Sequence, residues 1–127
     1  MPILTTGAIR IIEPTTWVPT MTGWTSAPDI TARYRVIGKT CFITLVANVV
    51  STSNATTTTF TLPILPAAVI PVNYITFQPY NNGAYTAAGQ IRVYAATSIA
   101  ECFLSGLAAW TASGNKGLFV NGFYEID

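Results

Sequence analysis

Acidic side chains are the first candidates for chemistry in this chain, because it contains no histidine. Without histidine the sequence lacks the usual general base at neutral pH, the Ser-His and Cys-His nucleophile pairs, and the commonest transition-metal ligand. Two carboxylates that face each other across a cleft could hydrolyse a glycoside. The five available carboxylates are Glu13, Asp29, Glu101, Glu125 and Asp127. Their spacing singles out no pair, so we expect no catalytic residues, no metal site and no cofactor, and we interpret them as solvated or edge-protecting charges.

The charge content excludes several other classes of function. Only 9% of the 127 residues are charged and the net charge is +1, whereas an ordinary soluble domain has about 25% charged residues. The six Lys and Arg residues are mostly scattered, so we expect no nucleic-acid binding. The longest apolar stretch, Leu62 to Val72, is interrupted by three prolines, and we expect no membrane insertion. The first ten residues lack the pattern of a secretory signal, so export by that route is not expected.

The two cysteines, Cys41 and Cys102, both lie inside apolar, strand-like runs. A lone thiol in such a setting behaves as a small buried hydrophobic group. We therefore predict two reduced core residues, with a disulfide between them as the alternative.

Apolar and polar residues alternate along most of the chain, which is the period of a β-strand rather than of a helix. In Ile30–Ile37 an apolar residue occupies every second position, with Arg33 and Arg35 between them. Gly38 and Lys39 predict a tight turn into a second strand, Thr40–Val50. Further strands are predicted over Thr57–Leu62, Tyr74–Tyr80, Ala84–Ala88, Gln90–Ala96, Ile99–Leu104 and Lys116–Ile126. The prediction is one all-β domain over residues 17–127, an antiparallel β-sandwich, jelly-roll-like, with about eight to nine short strands.

Residues 1–16 form either an N-terminal arm or the first strand of that sandwich. Ile9, Ile11 and Ile12 make an apolar patch that a short isolated arm could not bury by itself. One interpretation is an arm that docks on a partner, and the other is a strand that belongs to the sheet.

Two further groups of residues could contact a partner or ligand. Arg33 and Arg35 share a strand face and could pair with carboxylates of a partner chain; the alternative is a solvated face. The Tyr80–Tyr85 segment, with Asn81, Asn82 and two tyrosines, could contact a glycan, although a plain hairpin turn accounts for the same residues. The three tryptophans, Trp17, Trp24 and Trp110, could stack on sugar rings, but we interpret them as core or turn anchors.

Order and spacing of these elements resemble a β-sandwich module of tailed-phage virion proteins. The likeness rests on Trp24, the block Ala32–Phe42, the run Thr59–Pro63, and the ending from Trp110 to an aromatic final strand closing at Tyr124–Ile126. It covers roughly residues 17–127. The resemblance implies a structural or adhesive module, often trimeric, in tail fibres, head fibres or capsid decoration, and it carries no catalytic residues with it.

Function is predicted from that resemblance together with the low charge and the threonine-rich strands, which another chain could cover at little desolvation cost. We expect a non-enzymatic structural protein of a bacteriophage particle, made in the host cytoplasm and located in the virion. The first interpretation is a capsid decoration or cement protein, a homotrimer that contacts capsid or tail proteins. The alternative is a receptor-binding tip of a tail fibre or spike that contacts host surface glycans, and a weaker alternative is a free-standing carbohydrate-binding lectin or hydrolase.

Overall fold

The computed structural model describes residues 9–25, 28–52 and 55–127, and within them the chain is all-β. The strands are β1 (Ile11–Thr16), β2 (Met21–Thr22), β3 (Ile30–Ile37), β4 (Thr40–Thr52), β5 (Thr58–Thr61), β6 (Val72–Asn81), β7 (Ala84–Tyr85), β8 (Gly89–Tyr94), β9 (Ile99–Phe103) and β10 (Asn115–Glu125). A single 3₁₀ turn, Ser105–Leu107, is the only helical segment in the described residues. The first eight residues of the predicted arm lie outside the described part of the chain.

All ten strands belong to one antiparallel sheet that curls into a half-barrel. Its order is β1-β3-β4-β10-β6-β8-β9-β5-β2, and β7 pairs with the end of β6. The all-β antiparallel prediction is therefore confirmed. Because hydrogen bonds join all the strands into one sheet, two separate layers are not evident, and the sandwich or jelly roll stays a prediction. The described residues contain ten strands rather than eight or nine because the two-residue β2 was not predicted, and the predicted strand Ala84–Ala88 is shortened to β7.

A short segment between β1 and β2 connects the two ends of the curled sheet. The Trp17 backbone N–H donates to the carbonyl of Ala32 on β3, while the Trp17 indole donates to the carbonyl of Thr61 on β5. The Thr61 N–H in turn donates to the carbonyl of Thr20. These bonds hold the two edges near each other, and the core lies between them.

Strands β3 and β4 show why the alternating pattern builds this core. They pair without interruption from Ile30↔Ala47 to Ile37↔Thr40. Ala32 and Val36 are buried, whereas Arg33 and Arg35 between them are exposed. Successive side chains of a strand point to opposite faces, so one face of this hairpin packs inward and the other remains on the outside.

Strand β10 connects the two halves of the sheet. It pairs with β4 from Asn115↔Thr52 to Glu125↔Thr40, and with β6 only from Lys116↔Asn81 to Val120↔Phe77. Both β6 and β10 continue beyond the last of these pairs without pairing to each other. The sheet therefore parts between the first half of β6 and the last five residues of β10.

The core is made of inward-facing aliphatic and aromatic side chains from both halves of the sheet. Its largest buried members include Tyr124, Phe60, Ile43, Leu45, Ile91 and Leu118. Cys41 and Cys102 are buried and free, as predicted, and burial raises the pKa of both thiols. A thiol held neutral in this way is a poor nucleophile.

Gly89, the first residue of β8, tests how tightly the sheet packs. A Cβ added there would lie 2.2 Å from the Phe103 carbonyl oxygen and 2.7 Å from the Phe77 ring. We expect Gly89→Ala to lower the free energy of unfolding by about 1–3 kcal/mol, because neither the backbone of β9 nor a core ring can move away freely. Urea denaturation measures it, with Ala88→Ser at the exposed neighbour as a control that also adds one atom. Equal unfolding midpoints for the two variants would contradict this packing.

Candidate functional site

Exposed isoleucines cluster on the outer face at the β1 edge. Ile11 pairs with Ile37 across β1 and β3, and Ile9 lies beside the turn at Gly38. The exposed fractions are 50% for Ile9, 62% for Ile11 and 46% for Ile37. We call these three residues the isoleucine patch. Ile12, predicted as a contact with them, pairs instead with Val36 and packs against the core.

The end of the N-terminal segment is a strand of the sheet rather than a free arm. Residues 11–16 are a strand of the sheet, paired with β3, with an irregularity between Ile12 and Thr15. Because a strand sends alternate side chains to opposite faces, Ile12 contributes to the core while Ile11 faces outward. The segment is thus held in place with an apolar surface still uncovered.

Arg33 and Arg35 lie next to the isoleucine patch, on the outer face of β3. The guanidinium carbon of Arg35 is 4.9 Å from the centre of the Phe42 ring, a cation–π contact that orients it. A groove of about 450 Å³ runs past both arginines and is lined by Pro14, Tyr34, Thr44 and Asn121 as well. Within the described part of the chain the one ion pair joins Arg92 to Glu101. The arginine groove therefore offers two guanidinium groups to a carboxylate of another molecule.

The predicted glycan-contact segment forms a tight hairpin between β6 and β7. Asn82 and Gly83 both have positive φ, 50° and 86°, which is the conformation an Asn-Gly turn supplies. The rings of Tyr80 and Tyr85 meet edge to face with centres 4.9 Å apart, and Tyr85 also contacts Phe119. Tyr85 and Asn82 are exposed.

Asn81 differs from its neighbours in this hairpin because it is buried. Its amide nitrogen donates to the hydroxyl oxygen of Thr111, 3.0 Å away. The amide nitrogen therefore holds the loop before β10, while Oδ1 of the same side chain is buried without a hydrogen-bond partner among the described residues. The side chains at this tip that remain available for contact are Tyr80 in part, Asn82 and Tyr85.

Lys116 organises the same loop, although its place among the scattered Lys and Arg residues of the sequence does not indicate this role. Its side chain is fully buried, and its ammonium donates to the carbonyl oxygens of Thr111 and Ser113. Burial lowers the pKa of this amine. Local sequence gives no signal for this role, because the carbonyls come from a loop whose path depends on the distant β6 hairpin.

The five carboxylates lie at separate places in the described structure. Glu101 is held by Arg92, with Nε and Oε1 separated by 3.3 Å. Glu13, Asp29, Glu125 and Asp127 are exposed, on β1, before β3 and at the end of the chain. No cluster of three or more potential metal ligands occurs among the residues that the structure describes.

Trp110 and Trp17 are internal anchors, because each indole donates a hydrogen bond to a backbone carbonyl. Trp110 is buried, donates from its indole to the Cys102 carbonyl at 2.8 Å, and packs near Phe77. Trp17 donates to the Thr61 carbonyl and contacts the edge of Tyr34. Trp24 is half-buried against the core.

Comparison with known proteins does not place the chain in a family. No family model, no curated protein and no solved structure matches it. In the described ranges, no helix is both long enough and apolar enough to cross a membrane.

The burial of the Lys116 amine predicts how the stability of the protein depends on pH. Its pKa is lower in the folded chain than in the unfolded chain, so between those two pKa values the unfolded state binds more protons and stability rises with pH. We expect the difference in unfolding free energy, native chain minus Lys116→Met, to increase from neutral pH towards pH ~10. Denaturation of both proteins across this range measures it, and the buried thiols and tyrosines cancel because both chains contain them. A difference that is independent of pH would contradict the burial of this amine.

Proposed function

We propose that this chain is a non-enzymatic structural protein of a bacteriophage particle, a capsid decoration or cement protein that acts as a homo-oligomer. The observation that carries the proposal is the isoleucine patch beside the arginine groove. The phage particle, the virion location and the trimeric state come from the sequence resemblance to tailed-phage modules. The same resemblance supports a jelly-roll sandwich, in which the separation of β6 from β10 divides the curled sheet into two layers.

The isoleucine patch favours assembly because its residues are already ordered. Ile11 and Ile37 are paired strand residues, so a partner that covers them does not have to fix their backbones first. Burying an isoleucine side chain contributes about 1.5–3 kcal/mol. Three such side chains could offset a substantial part of the entropy lost on association.

Charge at this edge also suits a second copy of the chain. Arg33 and Arg35 have no carboxylate partner in the described part of their own chain, whereas Glu13 on β1 is an exposed carboxylate. Carboxylates from a neighbouring copy could therefore pair with the arginine groove. With so few charges overall, such pairs would fix the register of assembly more than its strength.

The runner-up is a receptor-binding tip of a tail fibre or spike. The exposed Tyr85 and Asn82 of the β6–β7 hairpin support it, since an aromatic ring and an amide suit a sugar ligand. A free-standing lectin or hydrolase is the weaker alternative, because it would require a carboxylate pair or a larger binding surface.

A pair of isoleucine variants tests the assembly proposal. Ile37 belongs to the isoleucine patch, while Ile99 on β9 is a comparably exposed strand residue in the other half of the sheet, at 46% and 37% exposure. We expect Ile37→Thr to weaken self-association about tenfold or more, because an interface side chain loses its apolar contact. Light scattering coupled to size exclusion, at a series of concentrations, measures the change.

The Ile99→Thr variant is the control and should associate like the native chain. Both substitutions put a β-branched polar residue in a strand, so strand propensity is nearly constant. If both variants keep the native oligomer, or if Ile99→Thr alone disrupts it, the isoleucine patch is not the assembly surface.

Catalysis is tested separately. Because the chain has no histidine and the carboxylates are dispersed, we expect no product from host polysaccharides, peptidoglycan or nucleic acids. Chromatography of long incubations measures it. Reproducible turnover that is lost when Glu13, Asp29 or Glu101 is changed to the corresponding amide would establish an enzyme instead.

A further inference from the structure

A cleft of about 400 Å³ opens where β6 and β10 part. It begins beyond the last paired residues, Phe77 and Val120, and lies between the first half of β6 and the end of β10. Ligand pockets in proteins are about 300–1,000 Å³, so the cleft has room for a small ligand. It adjoins the edge of the isoleucine patch, because Thr40, which lines the cleft, pairs with Ile37 across β3 and β4.

The depth of the cleft is limited by a close contact between the two strands. A Cβ added to Gly122 would lie 2.5 Å from Cγ2 of Ile75. The strands are thus packed against each other at this level, with no space for a third strand between them. This contact argues against an extended peptide that would add to the sheet edges here.

Asn73 supplies the observation that points to a ligand. It lines the cleft, and its amide nitrogen is buried without a hydrogen-bond partner in the described structure. A buried donor left unbonded costs folding free energy, and such groups are rare. An acceptor that enters the cleft would satisfy it.

Two aromatic side chains form the rims. Tyr74 is 53% exposed and Phe123 is 64% exposed, on β6 and β10 respectively. Tyr74 is paired across the strands with Arg92, and Arg92 is itself fixed by Glu101 and by the Phe103 ring, 4.7 Å away. Tyr74 therefore lies beside an arginine that is already ion-paired with Glu101.

The other lining groups are hydrogen-bonding and only one carries a charge. Thr40, Thr76 and Asn121 contribute hydroxyl and amide groups, and Glu125 contributes a carboxylate. Aromatic rims, amide donors and a carboxylate acceptor match a pyranose ring, which has apolar faces and hydroxyls at its edge. The carboxylate disfavours an acidic sugar, since no basic side chain lines the cleft.

We propose that this cleft binds a neutral saccharide unit. The ring packs against Tyr74 and Phe123, the Asn73 amide donates to a hydroxyl or ring oxygen, and the Glu125 carboxylate accepts from hydroxyls. The site is distinct from the β6–β7 tip. It adjoins the proposed assembly surface through Thr40, the cross-strand partner of Ile37, and through Asn121, which also lines the arginine groove, so binding is measured on the native assembly.

Binding to an array of neutral oligosaccharides, with acidic oligosaccharides and short peptides on the same surface, tests the site. We expect the native chain to retain at least one neutral class. Tyr74→Ala should weaken that binding about tenfold or more, as truncation of a central aromatic contact does. Tyr85→Ala truncates the exposed tyrosine of the tip, so a saccharide bound in the cleft keeps its affinity for this variant, whereas a saccharide bound at the tip loses it.

A third variant separates binding from folding. Asn73→Ala removes the unpartnered donor, so the melting temperature should stay at or above the native value while saccharide affinity falls. Three results would overturn the proposal: no neutral oligosaccharide is retained by the folded native chain, only acidic saccharides or peptides are retained, or binding is lost in Tyr85→Ala and kept in Tyr74→Ala.

Discussion

The short ladder between β10 and β6 is the contact on which the rest of the structure depends. Along the strand order, five residue pairs from Lys116↔Asn81 to Val120↔Phe77 join the β1-β3-β4-β10 half of the sheet to the β6-β8-β9-β5-β2 half. One end of the ladder is fixed by the buried Lys116 ammonium and the Asn81 amide, which hold the preceding loop. At its other end the strands part, so the same ladder defines the tip hairpin and the cleft.

This joint divides the outer surface into regions with different chemistry. The β1–β3 edge carries exposed apolar groups and cationic groups without a carboxylate partner in the described residues, which suits contact with another chain. The cleft carries aromatic rims, neutral hydrogen-bonding groups and one carboxylate, which suit a small polyol ligand. A structural module that also holds a saccharide would combine attachment to a particle with contact to a cell surface or a glycan.

Local sequence pattern was sufficient for the elements whose geometry is local. Alternation over Ile30–Ile37 gave the bounds of β3, and the Asn82-Gly83 pair gave the turn after β6, because period and positive φ are properties of adjacent residues. The burial of Asn81 and Lys116 could not be predicted in this way. Asn81 bonds to Thr111, 30 residues away in sequence, which strand pairing brings near. Lys116 bonds to carbonyls only three and five residues before it, but the direction of those carbonyls depends on the path of the loop.

The N-terminal isoleucines lie on different faces of the sheet, which the sequence pattern alone did not indicate. Ile9 and Ile11 are exposed as an assembly surface requires, but Ile12 belongs to the core, since the direction of a side chain depends on strand register. The cleft was missed altogether. Its members come from β4, β6 and β10, and no spacing in the sequence relates Asn73 to Glu125.

Sedimentation equilibrium of the native chain over the micromolar range distinguishes the proposed assembly from a monomer. We expect one species with three times the 13.6 kDa chain mass, persisting on dilution. A species of 13.6 kDa at every concentration would contradict it.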